Sequence, residues 1–214
     1  MDGSPNRLTG MDSRRGAARR DRLIKHWDQR AGRATADTWS ASSRPWVCTR
    51  ATGKVLDVCV GDGANLPFYP VGVTLTGVDF SPAMVQATRL AAKRAGRQID
   101  ARIADVEHLP FGDTTFDTVV ATFAMCCVPD ENIALAEMVR VLKPGGHLLL
   151  ADTIASSNPV LRLLEHVTDL VTIPLEGHHQ TRRPLPIVEA LGLEVVDSEQ
   201  DHHGLIERLD AVKP

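Results

Sequence analysis

The sequence predicts an α/β fold: a doubly wound, mostly parallel sheet that closes in an antiparallel hairpin. Three observations carry this. Five short apolar, β-branched runs, KVLDVCV (54–60), TLTGVDF (74–80), DARIADV (100–106), TVVATFA (118–124) and HLLLADTI (147–154), read as strands buried on both faces. Helical text separates several of them, which implies right-handed crossovers between parallel strands. Two last runs, LEVVDSEQ and LIERLDAVK, follow one another with no helix between, so they are expected to pair antiparallel.

Residues 1–22 are rich in Gly, Ser, Asn and Arg and are expected to be a disordered leader. Residues 23–214 then form one domain, opening with a helical segment (23–53) that carries Trp27, Trp39 and Trp46. The stretch SPAMVQATRLAAKRAG is a helix with Ser81 as N-cap, Pro82 at its first position and a stop at Gly96. DENIALAEMVRVLKPGG puts Leu135, Met138, Val139 and Leu142 on one face and is expected to end at Lys143-Pro144-Gly145. NPVLRLLEHVTDLV repeats the pattern, capped by Asn158, with Val160, Leu163, Leu164, Val167 and Val171 sharing a face. An irregular connection, IPLEGHHQTRRPLP, and a short helix near 186–191 complete an insertion (155–191) placed on the substrate side.

At 214 residues the chain can bury a substantial core. A net charge of -3 gives no electrostatic reason to expect nucleic acid as a partner. The four cysteines show no CxxC spacing, which points to a reducing cytosol and a cytoplasmic protein. The longest apolar run, around Val119 to Val128, falls short of the ~20 residues of a membrane span. No apolar segment follows the early charges, so no secretion signal is expected.

Function is concentrated where strands end. After the first strand come Gly61 and Gly63, a bare turn followed by Asn65, which can cap a helical turn that tolerates Pro67. Ligands of open parallel sheets bind at such carboxyl ends. Asp57 lies in the first strand, and Asp79 and Asp105 end the second and third. Three carboxylates at one edge of an apolar sheet imply partners, because burying them alone is expensive. A dinucleotide site does not fit: from Gly61 the chain reads G-D-G-A-N-L, with Leu66 where a third glycine is needed. A P-loop is excluded because no Gly-Lys-Ser/Thr follows.

These residues resemble the class I S-adenosylmethionine-dependent methyltransferases. VLDVCVGDG is similar to that family's glycine-rich signature, GVDFSPAM to its second-strand segment, ADVEHLPF to its third, and MVRVLKPGGHLLLAD to its late helix–strand junction. The resemblance spans about 54–154 and implies a Rossmann-like sheet of seven strands with S-adenosyl-L-methionine as cofactor. It implies that Asp57, Gly61 and Gly63 line the amino-acid end of the cofactor, with Val58, Cys59 and Asn65 also in the cofactor site. Asp79 would take both ribose hydroxyls, with Phe80 and Met84 against ribose or adenine. Asp105 and Val106 would meet adenine, and Thr122 and Phe123 would pass the sulfonium. Cys59 departs from the family, which has glycine there.

A narrower resemblance, in VGDGANLPFYP and GHHQTRR, is to the branch with phospholipid-headgroup, quinone-type and alkyl-thiol methyltransferases. It matches at His179, Thr181 and Arg182, with His178 a local extra, and implies a small or amphipathic acceptor; Cys126, after the fourth strand, is a further candidate for the acceptor pocket. His179 is the candidate catalytic base for an O, N or S nucleophile. No Cys or carboxylate spacing completes a metal site around His178-His179, and His202-His203 are expected at an exposed hairpin turn. Two alternatives remain at this stage: a sensor or scaffold that binds the cofactor without turnover, suggested by Cys59, and an RNA or protein methyltransferase using the Arg-rich leader.

Overall fold

The computed structural model describes residues 22, 24–31, 42–156, 167–170, 172, 179, 181–201 and 204–214. Residues 1–21, Trp39, Asn158, Val160, Leu163, Leu164, Val171, His178, His202 and His203 lie outside the described residues.

Seven strands form one sheet: β1 (Lys54–Val58), β2 (Thr74–Asp79), β3 (Asp100–Ile103), β4 (Phe116–Thr122), β5 (Leu142–Thr153), β6 (Glu194–Asp201) and β7 (Ile206–Val212). Their order is β3-β2-β1-β4-β5-β7-β6. The first five are parallel to one another, while β7 runs antiparallel to both β5 and β6. The expected hairpin is therefore present, and its second strand is the one that joins it to the sheet. Strand order reverses between β1 and β4, the switch point at which open sheets bind ligands.

Helices cover both faces: α1 (Ser43–Cys48), α2 (Pro82–Arg94), α3 (Glu131–Val141) and α4 (Pro184–Ala190). Period-two alternation divides the core accordingly. Leu56, Val119, Leu148 and Leu150 pack with Leu135 and Met138 of α3 and Val188 of α4. Val55, Val120, Leu149 and Ala151 pack with Val47 and Cys48 of α1 and Ala92 of α2. Asp57 shares a strand face with Val55, so it points into the α1 layer.

Ser81 caps α2 as expected, its Oγ accepting from the Met84 amide at 3.1 Å. Asp130 caps α3 through the Asn132 and Ile133 amides. Three boundaries differ from the sequence reading. α3 stops at Val141, because Leu142 already pairs with Phe116 in the sheet. β3 stops at Ile103, so Asp105 lies two residues beyond it, in an isolated bridge with His108. α4 starts at Pro184, a residue suited to a first helical turn. Residues 24–28 are also helical. Among the described residues no helix is long and apolar enough to cross a membrane.

Candidate active site

The turn after β1 explains its own glycines, and the two do different work. Gly63 has φ 87, and a Cβ there would lie 2.8 Å from Leu66 Cδ1 and 3.3 Å from Ala91 Cβ. Its bareness lets the turn pack on α2. Gly61, at φ 58, faces open space, with only the Cys59 carbonyl within 4 Å, at 3.9 Å. Of the pair, Gly61 is the one that leaves room for a ligand. Cys59 also takes a left-handed conformation, φ 53, disfavoured for a side-chain-bearing residue by about 1–2 kcal/mol. That backbone geometry gives a glycine at this position a physical advantage.

The turn is clamped to β2. Asp79, 6% exposed, accepts from the Gly61 amide (Oδ2, 3.0 Å) and the Ser81 amide (Oδ1, 2.9 Å). Burial raises its pKa above the ordinary carboxylate value, and the amides oppose that rise. A carboxylate offers about four lone-pair sites, so Asp79 keeps acceptor capacity beyond these amides. Phe80 follows at the rim, half-buried, and Met84 is buried in the first turn of α2.

Asp57 is fully buried, and the Asn65 amide nitrogen donates to both of its oxygens at 3.1 Å. Burial pushes its pKa up to about 6, with Tyr69, Asn65 and Arg44 holding it lower than burial alone would. Asn65 precedes the 3-10 turn Leu66–Phe68, but its side chain does not cap that turn. It turns inward instead, to Asp57 on one side and Thr122 on the other, whose hydroxyl donates to Asn65 Oδ1 at 3.0 Å. Thr122 ends β4; Phe123 follows at φ 53, its amide bonded to the Ala151 carbonyl. Val58 is buried in the α3 layer, as is Val106. Asp105 sits in a tight turn, its Oδ1 accepting from the Glu107 amide at 3.0 Å. Asp105, Glu107 and His108 bring ligand atoms within 4.8 Å of one another, and Glu107 Oε1 also takes the Asp130 amide at 2.6 Å.

Two bonded groups result, Gly61 with Asp79 and Asn65 with Asp57 and Thr122. The structure also adds a residue the sequence did not flag. Arg44 of α1 donates from Nη1 to Asn65 Oδ1 and Thr122 Oγ1, both at 2.7 Å. These partners lie 21 and 78 residues away in sequence, so no local motif signals the contact.

Beyond β4, Cys126 is buried and its carbonyl accepts the His179 amide at 2.7 Å. Thr181 donates to Asp169 at 2.8 Å. Arg182 pairs with Glu131 at 3.3 Å and donates to the Val128 and Pro129 carbonyls. These side chains tie the late connection onto the loop between β4 and α3.

Residues 56–150 match a family model described as a methyltransferase domain, a span from β1 to near the end of β5. A phosphatidylethanolamine N-methyltransferase from Cereibacter sphaeroides is 38% identical over 120 residues, covering 53% of this chain and 57% of that one. A ubiquinone/menaquinone biosynthesis C-methyltransferase from Geotalea daltonii is 33% identical over 131 residues, covering 58% and 56%. The chain thus spans little more than half the length of these curated relatives. A solved geranyl diphosphate C-methyltransferase from Streptomyces coelicolor A3(2) shares the fold, with TM-score 0.70 at 12% identity over 92% of this chain and 98% of that one. Residues 56–150 are thus similar to a methyltransferase domain, and the sheet that carries them has the fold of solved methyltransferases.

Proposed function

We propose that the chain binds S-adenosyl-L-methionine at the carboxyl edge of β1–β4 and transfers its methyl group to an O, N or S nucleophile of a small or amphipathic metabolite. The observation that carries this is Asp79: a buried carboxylate with acceptor capacity beyond its backbone amides, beside the open face of Gly61. That pair of acceptors suits a vicinal diol. Asp57, Val58, Cys59 and Asn65 then serve the amino-acid end, Phe80 and Met84 the ribose or adenine, Asp105 and Val106 the base, and Thr122 and Phe123 the reacting end. Gly63 contributes by packing the turn. When bound, the cofactor supplies a methyl group activated for in-line displacement. The protein's part is to hold donor and acceptor aligned and to keep water out, an effect that can reach ~7–11 kcal/mol.

An amphipathic acceptor is favoured by the names of the curated relatives, a phosphatidylethanolamine N-methyltransferase and a ubiquinone/menaquinone biosynthesis C-methyltransferase. It is favoured too by Val167 and Leu170, exposed one helical turn apart beside the Thr181–Asp169 contact. His179, held next to Cys126, is the group proposed to take the acceptor's proton.

Calorimetry with S-adenosylhomocysteine tests the cofactor, and a one-methyl mass gain across a panel of amines, quinols and thiols tests transfer. No binding ends the proposal; binding without any turnover leaves a sensor or scaffold. Abolished transfer on deleting residues 1–22 would point to RNA or protein as substrate. His179→Ala is expected to leave cofactor affinity unchanged and slow transfer by about 10²-fold or more. Unchanged turnover removes it from the chemistry.

A further inference from the structure

Away from the carboxyl edge, a cavity of about 720 Å³ opens beside the C-terminal half of α2. It lies at the starts of β2 and β3, and so at the other end of β2 from Asp79. Its apolar lining is Leu75 and Ala92, both buried, with Val73 and Ile99, half-buried against the same core. Arg89, Lys93 and Arg97 line it as well. Each arginine gives one nitrogen to the protein. Arg89 Nη2 donates to the Ala101 carbonyl at 2.6 Å, and Arg97 Nη2 to the Tyr69 and Pro70 carbonyls at 2.7 and 3.2 Å. Among the described residues nothing accepts from their Nε and Nη1 groups or from Lys93. Asp100, also in the lining, is taken up mainly by Arg102, with Arg89 a lesser influence. The helix dipole favours Lys93 in the last turn of α2. It does not explain three cations around one cavity, where Arg89 and Lys93, one turn apart, repel each other.

We propose that this cavity binds a phosphate monoester with a short apolar body. Small-molecule sites are typically cavities of about 300–1,000 Å³ with mostly apolar walls and a few placed polar groups. Here those polar groups are cations, so the head of the ligand is an anion. Three cations, offset by one acid that is already paired, suit a dianion better than a monoanion. A phosphate monoester carries about −1.5 to −2 at neutral pH. The guanidinium forks match its oxygens in pairs, and Lys93 adds a point charge. The apolar body lies on Leu75 and Ala92. The site shares no residue with the cofactor assignment, so it stands independently of the methyltransferase reading. A phosphatidic acid surface carries the same head chemistry, and the test separates that source from a free ester.

The experiment is calorimetry on the full chain with octyl phosphate below its micelle concentration, inorganic phosphate and octanol, alongside cosedimentation with phosphatidic acid vesicles. Octyl phosphate is expected to bind at least about 10-fold more tightly than either fragment, the effect of burying a few methylenes with the head. Lys93→Gln should weaken it by about 10-fold and Lys93→Glu by more, through loss of a charge-assisted contact. Lys93 has no protein partner among the described residues, so both ligand-free variants should melt like wild type, which shows that they are folded. Affinity that does not change in either variant would mean adventitious surfactant binding and overturn the proposal. Inorganic phosphate binding as tightly as octyl phosphate would overturn it too, since the apolar body would then contribute nothing. So would binding to vesicles alone, which would make the patch a membrane surface, or no binding of octyl phosphate at all.

Discussion

Asp57, beneath the β1 end of the sheet, and Asp152, at the β5 end, are both buried, and burial raises the pKa of both. Their partners differ. Asp57 has one neutral side-chain amide spanning its two oxygens. Asp152 takes three backbone amides, from Ala124 and Met125 on Oδ2 and Thr153 on Oδ1. The contrast extends to their surroundings: around Asp57 and Asp79 the acids keep acceptor capacity, whereas the Arg182–Glu131 pair near Asp152 bonds within the protein. One half of the edge holds charge ready for a ligand; the other uses charge to fasten loops.

The sharpest way to break this comparison is to neutralise both acids. Burial raises the folded-state pKa of Asp57 from 3.8 to about 6, so its stabilising protonated form is complete below about pH 4 and is lost as pH rises through about 6. Asp57→Asn should therefore stabilise the ligand-free protein by up to about 3 kcal/mol above pH 6, fading to nothing near pH 4. Asp152→Asn should instead destabilise it by about 1–3 kcal/mol, because separate backbone amides hold its two oxygens and a carboxamide cannot accept at both ends, whereas Asp57 has one donor group to satisfy. Urea unfolding across pH reads both, and the same sign for the two would erase the distinction.

A second test separates the glycines. Gly63→Ala should lower stability by about 2–3 kcal/mol through overpacking on Leu66 and Ala91 at a positive φ. If stability holds and cofactor affinity falls instead, Gly63 belongs to the ligand surface. The third is the ribose assignment: Asp79→Ala should weaken S-adenosylhomocysteine binding by about 1–3 kcal/mol in calorimetry, and undiminished affinity would remove it.

How much of this was legible follows from the range of the interactions. Strands such as KVLDVCV announce themselves because burial on both faces demands continuous β-branched text, and Asp79 because an acid ending such a run is conspicuous. The end of α3 was misplaced because Leu142 satisfies a helical face equally well; its pairing with Phe116 is a long-range fact. Asn65 was read as a local cap, whereas its partners come from β1, β4 and α1. Arg44 was missed for the same reason. Its only sequence cue is a cation in a six-residue helix otherwise free of charge, SRPWVC. The glycine pair was recognised as bare, but which neighbour each one admits depends on α2.

The position of β7 sets the order in which the molecule can be completed. β6 leaves the ribosome first, yet among the described residues β7 is its only neighbour in the sheet, so β6 must wait through the synthesis of its partner. At ~5–20 residues per second that wait is on the order of a second. Meanwhile β5 presents an open edge. The nascent β6 carries Glu194, Asp197, Glu199 and Asp201, and such a run of like charges discourages it from pairing with β6 of another chain. When Ile206–Val212 slides in between, antiparallel to both neighbours, Lys213 fastens it to the carbonyls of Val139 and Leu142, and the gap in the sheet is closed.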